Sequence, residues 1–424
     1  MGSITSRHII LLLVLAAAAL LMPAASAFAQ AVTATIAVGN SPNSIVANPA
    51  TGRVYVSNQL DHTVSVIDSA TSAVVATIPV GSNPTLMAVN PKTNRVYVVD
   101  AGSDSISVID GASDAVVATV PVGKQPTRVL VDQSTNRVYV TNFLGGSLSV
   151  IDATTNGVVA TIAVGIRPTA MALDPSTDRL YVVNTNGGNV SAVDTSTNSV
   201  VATIPVGAGP ETIAVNPATG RVYVGNTFVK SVTVIDANTS SAVATIPVGI
   251  QPLSIVIGLT GNRVYVANFD GNSVSVIDGA TNTVTATIGV GAGATALALN
   301  PDTNRLYVAD ELANSVSVID LATNRVVATL PTGTHPEAMA LDPNTNHLYV
   351  LNHGSKSVSV IEDRSPASPT PATSATAAPT AATPAQSQQG STLSSKNALT
   401  VAGMGIIVVG LVLWFGYRRG TGRR

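Results

Sequence analysis

Short runs in which Val and Ile alternate with Ser and Thr, separated by clusters of Asn, Asp, Gly and Pro, recur through most of this chain. Residues 84–122 serve as a specimen: apolar runs at 85–90, 95–100, 105–110 and 115–122 are broken by turn residues at 91–94 and 101–104. The alternation in Ser105-Ile106-Ser107-Val108, the β-branched content and the Asn, Asp and Gly at each break predict four antiparallel strands. No helical periodicity appears in this region. The same unit returns every 42 residues, marked by Tyr55, Tyr97, Tyr139, Tyr181, Tyr223, Tyr265, Tyr307 and Tyr349. A fixed period of that length means an array of identical supersecondary units.

Proline indicates where each strand lies. Pro79, Pro121, Pro205, Pro247 and Pro331 fall in the fourth run, with Ala37, Ala163 and Gly289 in the other copies. Proline cannot donate to a ladder, so the fourth strand is an edge and the first lies near a central axis. Radially repeated four-stranded sheets are propeller blades. The last copy lacks a fourth run, whereas an orphan one, Thr33-Ala34-Thr35-Ile36-Ala37-Val38, precedes the first copy. The expected fold is therefore all-β: an eight-bladed β-propeller over 32–363, closed by its N-terminal strand and without exposed interior edges. A seven-bladed ring with a leftover unit would strand a partial sheet.

Tyr139-Val140-Thr141-Asn142 spells the signature of the YVTN family of propeller repeats, which this chain resembles from about residue 32 to 361. Val66-Ile67-Asp68 and the Val-Ala-Thr-Ile-Pro-Val-Gly segments of the fourth run match the same pattern. The resemblance implies an exported, surface-layer-type propeller used mostly for display and binding, often with seven blades. Its motif residues belong to the scaffold.

Composition and the two ends suggest an address. Residues 1–29 read as a signal peptide, with Arg7 and His8 before an apolar run and small residues at Ala25, Ala27 and Ala29. Residues 364–396 are almost wholly Ser, Pro, Ala, Thr, Gln and Gly, a composition that forms no core and reads as a stalk. Residues 397–417 are long enough for one transmembrane helix, and Trp414, Phe415 and Tyr417 precede the basic tail at 418–424. The expectation is an exported single-pass membrane protein with the propeller outside and the C-terminus in the cytoplasm. Cysteine is absent, so no disulfide or thiolate metal site contributes. Outside the leader and tail, 16 basic residues face 23 acidic ones, which argues against a nucleic-acid partner.

Function is expected where the copies diverge, because every blade meets the same scaffold demands. The loops between blades and those joining second to third strands vary most, and both emerge on one face of an up-and-down blade. That face holds Phe143, Phe228 and Phe269, together with Lys124, Arg167, Glu211 and Glu337. Exposed aromatics beside polar groups suit contact with a cell-surface protein or glycan. His62, His335 and His353 fall on the same face, with Asp61 and Glu337 near in sequence, but without metal-ligand spacing they are weak metal candidates. Asp68 and its repeats are expected to cap turns, Arg53 and its repeats to pair with them, and the tyrosines to pack between blades. No nucleophile elbow, phosphate loop or haem motif is present. The leading expectation is a non-catalytic, membrane-anchored binding or adhesion module that needs no cofactor and is not an enzyme. The alternatives are an exported metal-dependent or lactonase-like hydrolase working on the loop face, and a structural surface-layer component.

Overall fold

Val and Ile dominate the first three strands of each unit because both faces of those strands are covered by neighbouring sheets. In the computed structural model, which describes residues 30–258 and 261–363, thirty-two strands form eight four-stranded antiparallel sheets. Blade 1 runs in order from β2 (Pro42–Asn48) through β3 (Arg53–Asn58) and β4 (Thr63–Asp68) to β5 (Ala73–Pro79). Blades 2 to 7 repeat this order. Blade 8 combines β30 (Pro336–Asp342), β31 (His347–Asn352) and β32 (Ser357–Glu362) with β1 (Val32–Ala37), so the N-terminal strand supplies the missing edge. Thr35 faces Ser359 and Ala37 faces Ser357 in that closing ladder. The inner strand of each blade packs on that of the next, and blade 8 packs on blade 1, which closes the ring. The expected eight-bladed propeller is the fold observed.

The fourth strands behave as the prolines require. Pro79 lies at the end of β5, and of that strand's residues only Ile78 is buried. The repeat tyrosines fill the space between blades: Tyr55 packs with Val64 and Val66 of its own blade and Met87, Val96 and Val98 of the next. Asp68 Oδ1 accepts the backbone N–H groups of Ala70 and Thr71 at 3.0 and 2.9 Å, the turn role expected of it. Arg53, Arg95, Arg137, Arg179 and Arg221 pair with the turn aspartates of their own blades. The asparagines that end the inner strands also tie neighbouring blades: Asn48 Nδ2 donates to Asn94 Oδ1 at 2.7 Å, and Asn216 repeats the bond to Asn262 at 2.8 Å.

Arg305 departs from its siblings. It donates to the buried Asp363 at 2.8 Å, just past the last strand. Asp363 also accepts from Asn300 Nδ2 at 2.6 Å, Thr303 Oγ1 at 2.5 Å and Gln30 Nε2 at 3.0 Å. This network joins both ends of the propeller to blade 7. Among the described residues no helix is long and apolar enough to cross a membrane. The expected signal peptide at 1–29, stalk at 364–396, membrane span at 397–417 and basic tail at 418–424 lie outside the described residues.

Candidate functional site

The face on which the inner strands begin carries two sets of loops in each blade, and backbone bonds hold them together. In blade 8, His353 N donates to the carbonyl of His335 at 2.9 Å and Gly354 N to that of Thr334 at 3.0 Å. This fixed pairing places His335 beside His353. Glu337, the second residue of β30, enters the same space, as does Glu311, the first residue after the second strand of blade 7.

The four side chains form a compact cluster over the blade 7–8 seam. His335 Nδ1 lies 3.6 Å from Glu311 Oε1, and His353 Nδ1 lies 3.8 Å from Glu337 Oε2. His353 Nδ1 also donates to the carbonyl of Pro42 in blade 1 at 2.9 Å. A carbonyl only accepts, so that bond puts the proton on Nδ1 and leaves Nε2 as the acceptor of the neutral ring. Burial pushes Glu337 up to about 7; the Glu311 carboxylate adds to the rise, and His353 and His335 oppose it. Burial also raises Glu311, with His335 opposing. Two carboxyls displaced upward beside two imidazoles are groups of the kind that general acid–base chemistry uses.

The other predicted residues have separate places. His62 does not join the cluster: its Nδ1 accepts the backbone N–H of Asn83 at 3.1 Å. Asp104, Asn272 and Asn314 accept equivalent N–H groups in other blades, so His62 anchors a loop. Asp61 likewise binds Asn40 through its backbone N–H and side-chain amide. Glu211 sits in the inner strand of blade 5, raised by burial and opposed by a bond from Thr227, away from the blade 7–8 cluster. Lys124 is exposed and pairs with Asp104 at 2.7 Å. Phe228 is 76% exposed, whereas Phe143 and Phe269 are half-buried. The Arg167 guanidinium lies 5.2 Å from the Phe143 ring centre. Among the described residues, no group of three or more His, Asp or Glu side chains is arranged to hold a metal ion.

Sequence reasoning counted Glu311 among the divergent loop residues but did not group it with Glu337, His335 and His353; its partner His335 lies 24 positions further along the chain. The available signal was its place in the repeat. Glu311 occupies the position of His353 one period earlier, where other blades have Gln59, Ala101, Phe143, Thr185, Thr227 and Phe269.

Residues 279–383 match a lactonase family. The family is described as "Lactonase, 7-bladed beta-propeller". The matched stretch contains Glu311, His335, Glu337 and His353, although the ring itself has eight blades. This finding corrects the expectation that the chain is not an enzyme: the segment resembling a lactonase carries the acid–base cluster. It supports a propeller relationship and does not extend to the surface-layer resemblance. No curated protein matches the chain. Among solved structures, hydrazine synthase from Kuenenia stuttgartiensis superimposes with a TM-score of 0.55 and 20% identity over 76% of this chain and 96% of that one. Dihydro-heme d1 dehydrogenase NirN in complex with DHE gives a TM-score of 0.63 and 18% identity over 80% of each chain. At these identities the two structures establish the common fold.

Proposed function

We propose that this protein is a lactonase-like hydrolase whose site is the Glu311–His335–Glu337–His353 cluster on the loop face. The observation that carries the reading is the meeting of two carboxyls and two imidazoles within the stretch that resembles a lactonase. Glu337, with its carboxyl raised to about 7, is suited to accept a proton from water at neutral pH. The hydroxyl so formed adds to the lactone carbonyl carbon. The proton taken by Glu337 passes to the ring oxygen as the acyl C–O bond breaks, His335 would hydrogen-bond the developing oxyanion, and His353, whose Nδ1–H is held by the Pro42 carbonyl, positions Glu337. The product is the open hydroxy acid, with one water consumed and the Glu337 proton returned. A metal-assisted version receives no support from the geometry of the described residues.

The leader, stalk and apolar segment of the sequence support display of this hydrolase outside the cell on a membrane anchor. The test is hydrolysis of a panel of γ- and δ-lactones by the full chain, followed by pH-stat and compared with Glu337→Gln. Turnover lost in the variant while its thermal unfolding is unchanged supports the assignment. No turnover across the panel by folded protein sinks it.

A further inference from the structure

The ring has eight equal periods, so residues four blades apart face each other across the axis. Phe143 stands 168 positions before Glu311, and Arg167 stands 168 positions before His335. The Arg167–Phe143 pair is therefore the diametric counterpart of the His335–Glu311 pair in the same register of the same loops. A second cation is set into this opposite seam. Arg128 is the only Lys or Arg on the eight inner strands, and its half-buried guanidinium donates through Nε to the carbonyl of Thr169 in blade 4 at 3.4 Å. In the other blades that position holds Ser44, Leu86, Ala170, Thr212, Ser254 or alanine. The blade 3–4 seam is thus cationic and aromatic where the blade 7–8 seam is acidic.

We infer that the blade 3–4 seam is an anion-binding subsite, in which Arg128 and Arg167 take the carboxylate or phosphate of an acidic substrate and Phe143 covers its apolar body. This rests on the proposed hydrolytic reading only for the role of the far seam, where the reacting carbonyl would lie. Arginine suits the near seam because its planar fork matches an oxyanion and also stacks on an aromatic ring. Burial pushes Arg128 down to about 10. The opposite seam carries Glu311 and Glu337 and no Lys or Arg at the matching positions, so the two seams differ in the ligand group they can take.

The probes are phenyl phosphate and benzoate, titrated into the full chain and followed by ligand NMR line broadening. Saturable binding is expected, weakened at least tenfold in Arg167→Gln and in Arg128→Gln, and restored in part by Arg167→Lys. Glutamine is native at the position of Arg167 in two other blades, Gln125 and Gln251, so Arg167→Gln decides the matter even if Arg128→Gln fails to fold. Preference for one probe tells which oxyanion the seam takes. No binding by the wild-type chain, or undiminished binding by Arg167→Gln, overturns the inference. Anion binding without lactone hydrolysis would leave the subsite standing and remove the hydrolytic reading; hydrolysis of neutral lactones without anion binding would do the reverse.

Discussion

At the scale of single residues, Glu337 and Asp100 have carboxyls shifted the same way by burial, with different consequences. Glu337 sits beside His353, Glu311 and His335, so under the proposed hydrolysis its displacement to about 7 sets the pH at which the base form appears. The base form exists above that value, and hydrolysis should rise as pH increases through 7. Glu337→Gln should lower kcat by about 10²- to 10⁴-fold, the usual contribution of a general base. Replacing His353 with Asn should move the acidic limb of the pH profile upward, because His353 holds the Glu337 carboxyl down. A limb that stays in place would remove His353 from the site.

Asp100 has no such outlet. It is fully buried, accepts from Ser107 at 2.7 Å and is pushed from 3.8 to about 6 by burial. At the same position Asn58, Asn142, Asn184, Asn226, Asn268 and Asn352 occur instead; Asn142 Nδ2, for instance, donates to Ser147 and Ser149. A carboxyl whose folded pKa is raised costs stability once pH exceeds its unfolded value, and the full cost is felt above its folded one. Asp100→Asn should therefore stabilise the fold by about 2 to 3 kcal/mol at pH 8 and by almost nothing below pH 3. Urea unfolding at the two pH values measures the difference, and equal gains at both would contradict the account.

At the scale of the element, the glycine that follows each fourth strand is explained by close approach. A Cβ on Gly165 would stand 2.5 Å from Asn184 Cγ, and one on Gly123 would stand 2.5 Å from Asn142 Cγ. The asparagine is pinned by its own bonds, as Asn184 is to Ser191 Oγ at 2.9 Å, so it cannot yield without breaking them. Gly165→Ala should cost roughly 1 to 3 kcal/mol by overpacking, readable as a lower urea midpoint with an unchanged m-value. The loops themselves were legible as divergent segments, and the strands as alternating runs. The meeting of Glu311 with His335 was not, because it depends on which blade stands beside which.

At the scale of the whole molecule, stability depends on sealing the ring. Asp363 gathers Arg305, Asn300, Thr303 and Gln30 into one buried network that ties the two ends of the propeller to blade 7. Removing one partner of a buried ion pair strands the other, so Asp363→Ala should destabilise by about 3 to 5 kcal/mol. The equivalent change at the more exposed Asp68 should cost much less. If both substitutions had the same small effect on thermal unfolding, the closure network would be no more than another surface pair.

Strand number, edge assignment and closure by residues 32–37 follow from local pattern, because alternation, proline placement and a strict 42-residue period all act over short stretches of chain. The site does not follow from local pattern. His335 and His353 were visible as odd residues in their copies, yet so was His62, and only the folded ring separates a histidine that meets two glutamates from one that caps a loop. The same holds for Arg167 and Phe143, whose position opposite His335 and Glu311 exists only once eight blades close around an axis. Propensity and period are properties of neighbours in sequence; proton exchange, charge opposition and desolvation are properties of neighbours in space, and in this protein the ring brings those neighbours together.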